Sequence, residues 1–181
     1  MRSVKYRKSS PSSYRQTSIL IILMASAILL YPSEANALNI EFTNYNVIDF
    51  GSVDLSGGTV IIDDVPYDGL VIRCTAGPGT SGWMLEVKIE HELTHETNTA
   101  SRIPNTNFRW YVESTTGNTN NIAPGVNQKV EFTFDDVLVY TGDTGEDQTD
   151  ITMKFHLELP PTLQWGTYNT KYGYIVFTLT E

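Results

Sequence analysis

The chain has 181 residues, 40% of them hydrophobic and 11% aromatic, with 21 acidic against 12 basic residues and a formal net charge of −9. That apolar content suffices for the core of one ordinary domain and excludes a disordered tail. The negative charge repels phosphates, so neither nucleic acid nor an anionic membrane surface is expected as a partner.

In chain order, the first 37 residues carry the three parts of a secretory signal. Arg2, Lys5, Arg7, Lys8 and Arg15 form a basic leader, Ile19 to Tyr31 an apolar run, and Ala35-Asn36-Ala37 a small-residue cleavage site. The run is short and is closed by Pro32, which suits an export signal rather than a membrane span. Cleavage near Leu38 would remove five basic residues and one acidic residue, Glu34. Seven basic and twenty acidic residues then remain, for a net charge near −13. The expected division is therefore a signal peptide over 1–37 and a single secreted domain over 38–181, with no membrane span in the mature chain.

From Asn39 onward the pattern reads as strand, turn, strand. Asn39 to Phe50, the β-branched Thr59 to Val65, and Gly69 to Thr75 are expected to be extended, with Asp68-Gly69 and Ala76-Gly77-Pro78-Gly79 as breaks. Trp83, Leu85, Val87 and Ile89 alternate with polar residues, which is the period of a half-buried strand. Phe108, Trp110 and Val112 share a second face, and Lys129 to Tyr140 alternates through Val130, Phe132 and Phe134. Ile151, Met153, Phe155, Leu157 and Leu159 point inward, against Lys154, His156 and Glu158 outward; His156 is thus expected to face solvent. Pro160-Pro161 ends that strand, and Lys171 to Thr180 supplies the last, with Ile175, Phe177 and Leu179 on one face. No segment has a helical stripe. Roughly eight short strands with regular turns predict an all-β, immunoglobulin-like two-sheet sandwich.

One motif competes with this reading. His91-Glu92-Leu93-Thr94-His95 spells HExxH, which on a helix forms a zinc peptidase site, with His156 or Glu113 available as a third ligand. On a strand rising about 3.3 Å per residue the two histidines stand roughly 13 Å apart and cannot share a metal. The polar stretch ETNTASRIP after His95 has too few apolar positions to bury a helix. The strand reading is preferred, so no metal, no cofactor and no enzymatic activity are expected; GxSxG and phosphate-binding glycine loops are also missing.

Cys74 shares its parity with Leu70 and Ile72, so a buried, inert thiol is expected. Asp143, Glu146, Asp147 and Asp150 supply the oxygen ligands calcium uses, but at no calcium-loop spacing. They are read as solvated turns, as are Asp63, Asp64 and Asp68.

Trp83-Met84-Leu85 within GWMLEV, Asp49-Phe50-Gly51, and Gly166 to Tyr168 followed by Phe177 to Glu181 resemble the WxL domain of bacterial surface proteins. That resemblance implies an exported β-rich domain held non-covalently on peptidoglycan. It makes Trp83, Leu85, Phe177 and Leu179 the candidate wall-binding residues, with Phe177 where the family has its second tryptophan. The same landmarks, DFGSVD, VIRCTAG and GTY, are also similar to the spore coat U family of pilin-like subunits, whose sandwich is completed by a strand from a neighbour. Cys74 falls where that family has a cysteine, here without its disulfide partner. Donor-strand assembly works because an extended peptide fills an open sheet edge. Leu38, Ile40 and Phe42, in one phase of LNIEFTNY, are the donor candidates; the alternative is that this segment is the domain's own first strand. The expected product is a secreted, non-enzymatic protein of the bacterial cell surface, whose partner is peptidoglycan or another surface-protein subunit.

Overall fold

The computed structural model describes residues 16–27, 38–45, 47–169 and 175–181. The basic leader, the end of the apolar run and the expected cleavage site Ala35-Asn36-Ala37 lie outside the described residues. Among those described, the strands are β1 (Gln16–Ala27), β2 (Asn39–Phe42), β3 (Val47–Asp54), β4 (Val60–Thr75), β5 (Trp83–Ile89), β6 (Leu93–His95), β7 (Arg102–Ile103), β8 (Phe108–Thr115), β9 (Val130–Glu131), β10 (Val137–Gly142), β11 (Gln148–Leu159), β12 (Gly166–Asn169) and β13 (Ile175–Thr180). Two short 3-10 turns, Asn105–Asn107 and Thr119–Asn121, are the only helical pieces among the described residues. The protein is an all-β sandwich.

One sheet runs in the order β10-β5-β13-β1-β12-β6-β7, with β3 joined to β1; the other runs β2-β4-β11-β8-β9. Their inner faces meet because alternation along each strand sends one parity to the other sheet. From the first sheet come Trp83, Leu85, Val87, Ile89, Ile175, Phe177 and Leu179. The second contributes Leu70, Ile72, Cys74, Trp110, Val112, Ile151, Met153, Phe155 and Leu157, all in one core. Phe108 lies 4.4 Å from Phe132 and 6.0 Å from Phe155 between ring centroids, an aromatic cluster at one end of that core. Opposite each other on β4 and β11, Arg73 and Asp150 form a two-pronged pair at 2.8 Å on each prong.

The predicted strands recur with changed limits. Thr59 to Val65 and Gly69 to Thr75 are one long strand, β4, interrupted by bulges rather than ended by a turn. Against β11, Leu70 lies opposite Met153 but Val65 opposite Phe155, so extra residues of β4 are squeezed out between them. Pro66 sits in that bulge, where no ladder N–H is required of it. Asn39 to Phe50 divides into β2, paired with β4, and β3, paired with β1. Lys129 to Tyr140 divides into β9 and β10, which belong to different sheets.

Candidate functional site

The feature with the clearest consequence is the place of β1. It runs antiparallel to β3 from Gln16 to Ile22, and parallel to β12 from Thr17 to Leu20 and to β13 from Leu23 to Ala27. Among the described residues β3 has no other strand partner, and β12 and β13 belong to two three-stranded pieces that β1 alone joins, β10-β5-β13 and β12-β6-β7. Without it, three strands would each present an edge of unpaired N–H and C=O groups, which recruits another strand. After a bulge between Ile19 and Leu20, the partners alternate in burial from Leu20 to Ala27. Ile21 lies opposite Ile48, Leu23 opposite Ile175, Ala25 opposite Phe177 and Ala27 opposite Leu179, and each of those four partners is buried. Between them, Leu20 lies opposite Asp49, Ile22 opposite Val47, Met24 opposite Val176 and Ser26 opposite Thr178, none of which is buried. The segment occupying this slot is the apolar run that the sequence assigns to the export signal.

A cleft of about 530 Å³ is lined by Leu55, Ser56, Gly57, Gly58, Pro161, Leu163 and Trp165. Its walls follow directly on Asp54 and precede Gly166, the residues opposite Gln16 and Thr17. Trp165 is 62% exposed there.

The donor candidates lie elsewhere. Leu38 precedes β2, and Ile40 and Phe42 pair with Cys74 and Ile72 of β4. Ile40 joins the core and the Phe42 ring meets Phe177 edge-on at 5.6 Å. In this chain they form the domain's own strand.

The wall-binding candidates are internal. Trp83 is 2% exposed, Leu85 and Phe177 are fully buried, and Leu179 is nearly so. Trp83 packs on Tyr140 at 5.3 Å between ring centroids and donates its indole N–H to the Glu146 carbonyl at 3.3 Å. A ligand would reach these side chains only by opening the sandwich.

The HExxH residues fall on a bend and on β6, not on a helix. His91 is exposed, while His95 is buried. The His95 Nε2 contacts the Trp165 carbonyl at 3.0 Å and so carries the proton; Nδ1 accepts from the backbone N–H groups of Thr97 at 3.2 Å and Asn98 at 3.1 Å. Both ring nitrogens are thus occupied. Among the described residues no group of three or more His, Cys, Asp and Glu side chains is arranged to hold a metal.

His156 corrects the expectation of a solvent-facing strand residue: it is 7% exposed. It does point away from the core, but a second β4 bulge, between Ile62 (opposite Leu157) and Val65 (opposite Phe155), brings Asp63 over it. His156 Nδ1 lies 3.1 Å from Asp63 and 3.3 Å from the Lys129 ammonium, which also pairs with Asp63. On the same face Tyr111 donates to Asp64, and Lys154 pairs with Glu113 at 2.6 Å. Burial raises the Asp63 pKa, but hydrogen bonds from Lys129 and His156 outweigh it and hold the carboxyl below the usual range. Burial first, then the bond to Asp64, pushes the Tyr111 phenol up. The carboxylates Asp63, Asp64 and Asp68 are therefore paired; Asp68 accepts from Tyr45 at 2.5 Å.

In the loop before β11, Glu146 accepts from Tyr140 at 2.8 Å and from the Asp143 N–H at 2.9 Å, and Asp143 accepts from Asn121 at 2.8 Å. These carboxylates shape the turn. Burial, aided by Asp150 and Glu146, pushes the Cys74 thiol up to about 12, as an inert buried cysteine requires.

Sequence reasoning overlooked the slot because β1 lies inside a segment whose composition reads as an export signal. The signal available was that the apolar run also suits a buried strand. No protein-family model matches the chain, and no curated protein matches it in sequence.

Proposed function

We propose that this chain is an exported, non-enzymatic subunit of the bacterial cell surface whose sandwich takes up an extended strand between β3 and the β12–β13 edge. The observation that supports this most directly is the position of β1: a sheet that depends on one strand, filled by a segment that export processing would remove. After cleavage the same edges and the same buried partners, Ile48, Ile175, Phe177 and Leu179, require a replacement strand. Unpaired backbone groups facing an apolar interior cost several kcal/mol each in the limit of full burial, so the vacated slot favours capture of a strand from a neighbouring subunit.

The test compares the full chain with residues 38–181. The full chain is expected to be monomeric, whereas the shorter chain self-associates or melts well below it, as followed by light scattering and thermal unfolding. Equal stability and a monomeric state for both would overturn the proposal.

A second reading, attachment to peptidoglycan, is favoured by a different observation: the exposed Trp165 ring on an open cleft, a surface on which a sugar ring stacks. It places wall contact at Trp165 rather than at Trp83 or Phe177. Saturable co-sedimentation with isolated peptidoglycan that is lost in Trp165→Ala supports it; a protein that stays in the supernatant removes it.

A further inference from the structure

The geometry points to His95 as a proton-operated latch on the Trp165 cleft: the neutral imidazole ties the loop of residues 96–101 to the Trp165 backbone, and a proton added at Nδ1 unties it. The latch goes beyond both readings above and depends on neither.

The Nδ1 lone pair already accepts from two backbone N–H groups, Thr97 at 3.2 Å and Asn98 at 3.1 Å, while Nε2 donates to the Trp165 carbonyl at 3.0 Å. Only the neutral imidazole does both, because the charged ring is a donor at each nitrogen. His95 is 4% exposed and forms no ion pair among the described residues. The charged groups nearest it along the chain and on β7 are committed elsewhere or turned to water: Glu92 pairs with Arg102 at 3.9 Å, and Glu96 is exposed. From β12, directly opposite, comes the Tyr168 ring, edge-on at 5.1 Å, whose hydroxyl accepts from Ser101 at 2.5 Å and donates to the Gln164 carbonyl at 3.0 Å. Neither β1, beyond β12, nor the stretch from Thr162 to Trp165 contains a titratable residue. Among the described neighbours of Nδ1 only the Thr97 hydroxyl, 3.4 Å away, can accept a proton from it, and that bond leaves both N–H groups without their acceptor. A protonated His95 therefore sets a buried, unpaired charge against two donors, and each bond unmade carries its desolvation penalty. Swinging the ring out to water relieves this and takes the bond to Trp165 with it. Gly166, where a built Cβ would lie 1.9 Å from Nε2, is the seat the ring vacates. The links that do not titrate, Asn98 to Gln164 at 2.6 Å and Ser101 to Tyr168, remain, so the opening is local.

The test follows amide hydrogen exchange of the full chain by NMR, roughly from pH 7.5 to 5, the span over which histidine changes charge, with each rate divided by its intrinsic value at that pH. Protection of the Thr97 and Asn98 amides is expected to fall at least about tenfold across this span, while amides of β5 and β11 keep theirs. In protein labelled with fluorotryptophan the Trp165 signal, assigned with Trp165→Phe, is expected to shift over the same interval. In His95→Ala the two amides are expected to be poorly protected throughout, so that the step vanishes, whereas His156→Gln and His91→Ala retain it. Unchanged protection of Thr97 and Asn98 in the parent chain would overturn the latch, and so would a step that persists without His95 or disappears without His156. Should His95→Ala not fold, the parent chain still decides. Its His95 ring resonances must titrate in step with the loss of protection, and a ring that gains its proton with both amides still protected refutes the proposal.

Discussion

Gly142 has no side chain because Trp83 takes the space: a Cβ built there would lie 1.9 Å from the indole ring. The two residues are directly opposite on β10 and β5, so the tryptophan lies flat over its neighbour's backbone. Gly142→Ala is expected to lower stability by about 1–3 kcal/mol through overpacking, and Trp83→Ala by about 3–5 kcal/mol through the void it leaves; denaturant midpoints measure both. Gly166 stands in the same relation to His95, at 1.9 Å from Nε2 to a built Cβ and with a φ of +143° that only glycine adopts freely. The two histidines of HExxH consequently separate by experiment. His95→Ala is expected to destabilise by about 1–3 kcal/mol, because it leaves the Thr97 and Asn98 N–H groups without their buried acceptor. His91→Ala, an exposed change, should stay within about 0.5 kcal/mol of the parent. Equal effects of the two would contradict the positions described.

At the scale of elements, β4 and β11 carry the electrostatics. Arg73 forms two hydrogen bonds to Asp150 across this pair and holds its carboxyl below the usual range against some opposing burial. A depressed folded pKa means that the unfolded chain binds the proton more readily, so the contribution is fully present above the unfolded carboxylate pKa, about 3.9, and is lost as pH falls through the folded value. Asp63, held by Lys129 and His156, acts in the same direction. Chemical denaturation between pH 6 and 2 (roughly the span over which carboxylates protonate) should show stability falling, and Asp150→Asn should flatten part of that slope. A variant with an unchanged acid limb would show that the pair contributes nothing net. The β4 bulge between Ile62 and Val65 is what makes this network. It throws Asp63 and Asp64 sideways onto His156, Lys129 and Tyr111, and so converts an outward strand face into a covered one.

For the molecule as a whole, the core sets behaviour at the opposite end of the pH scale. Burial, with Asp150 and Glu146 adding to it, raises the Cys74 thiol to about 12 from an ordinary 9.0. Burial, with the hydrogen bond to Glu146 adding to it, raises the Tyr140 phenol to about 12 from 10.0. These groups keep their protons in the folded state when the unfolded chain has released them, so their contribution is complete below the unfolded values and disappears as pH rises through the folded ones. Alkaline unfolding is therefore expected to set in above pH 9 and to be steep by pH 12, the interval between the unfolded and folded values of these groups. The Tyr140 contribution to tyrosinate absorbance, isolated by comparison with Tyr140→Phe, should appear together with loss of structure rather than before it. Early ionisation of Tyr140 in a folded chain would count against its burial beside Glu146.

The features legible in the chain before folding are those with a two-residue period. The inward parities of β5, β11 and β13 and the burial of Cys74 were legible because alternation is a local property, written in residues one and two apart. The alternation from Trp83 to Ile89 made the strand that precedes HExxH legible for the same reason, whereas the bend at His91 and the separate strand β6 were not. The tertiary structure alone decided the rest, because it depends on which strands become neighbours. His95 is held by the Trp165 carbonyl, seventy residues away, and His156 is covered by a bulge opposite it on another strand. Trp83 is a core residue, 2% exposed, and the space for its ring is provided by Gly142 directly opposite on another strand. The apolar run Ile19 to Tyr31 has the composition of an export signal. Only pairing shows that β1, which includes Ile19 to Ala27, lies between β3 on one side and β12 and β13 on the other. Hydropathy measures what a segment avoids, water in either case, and not whether lipid or a sheet replaces it.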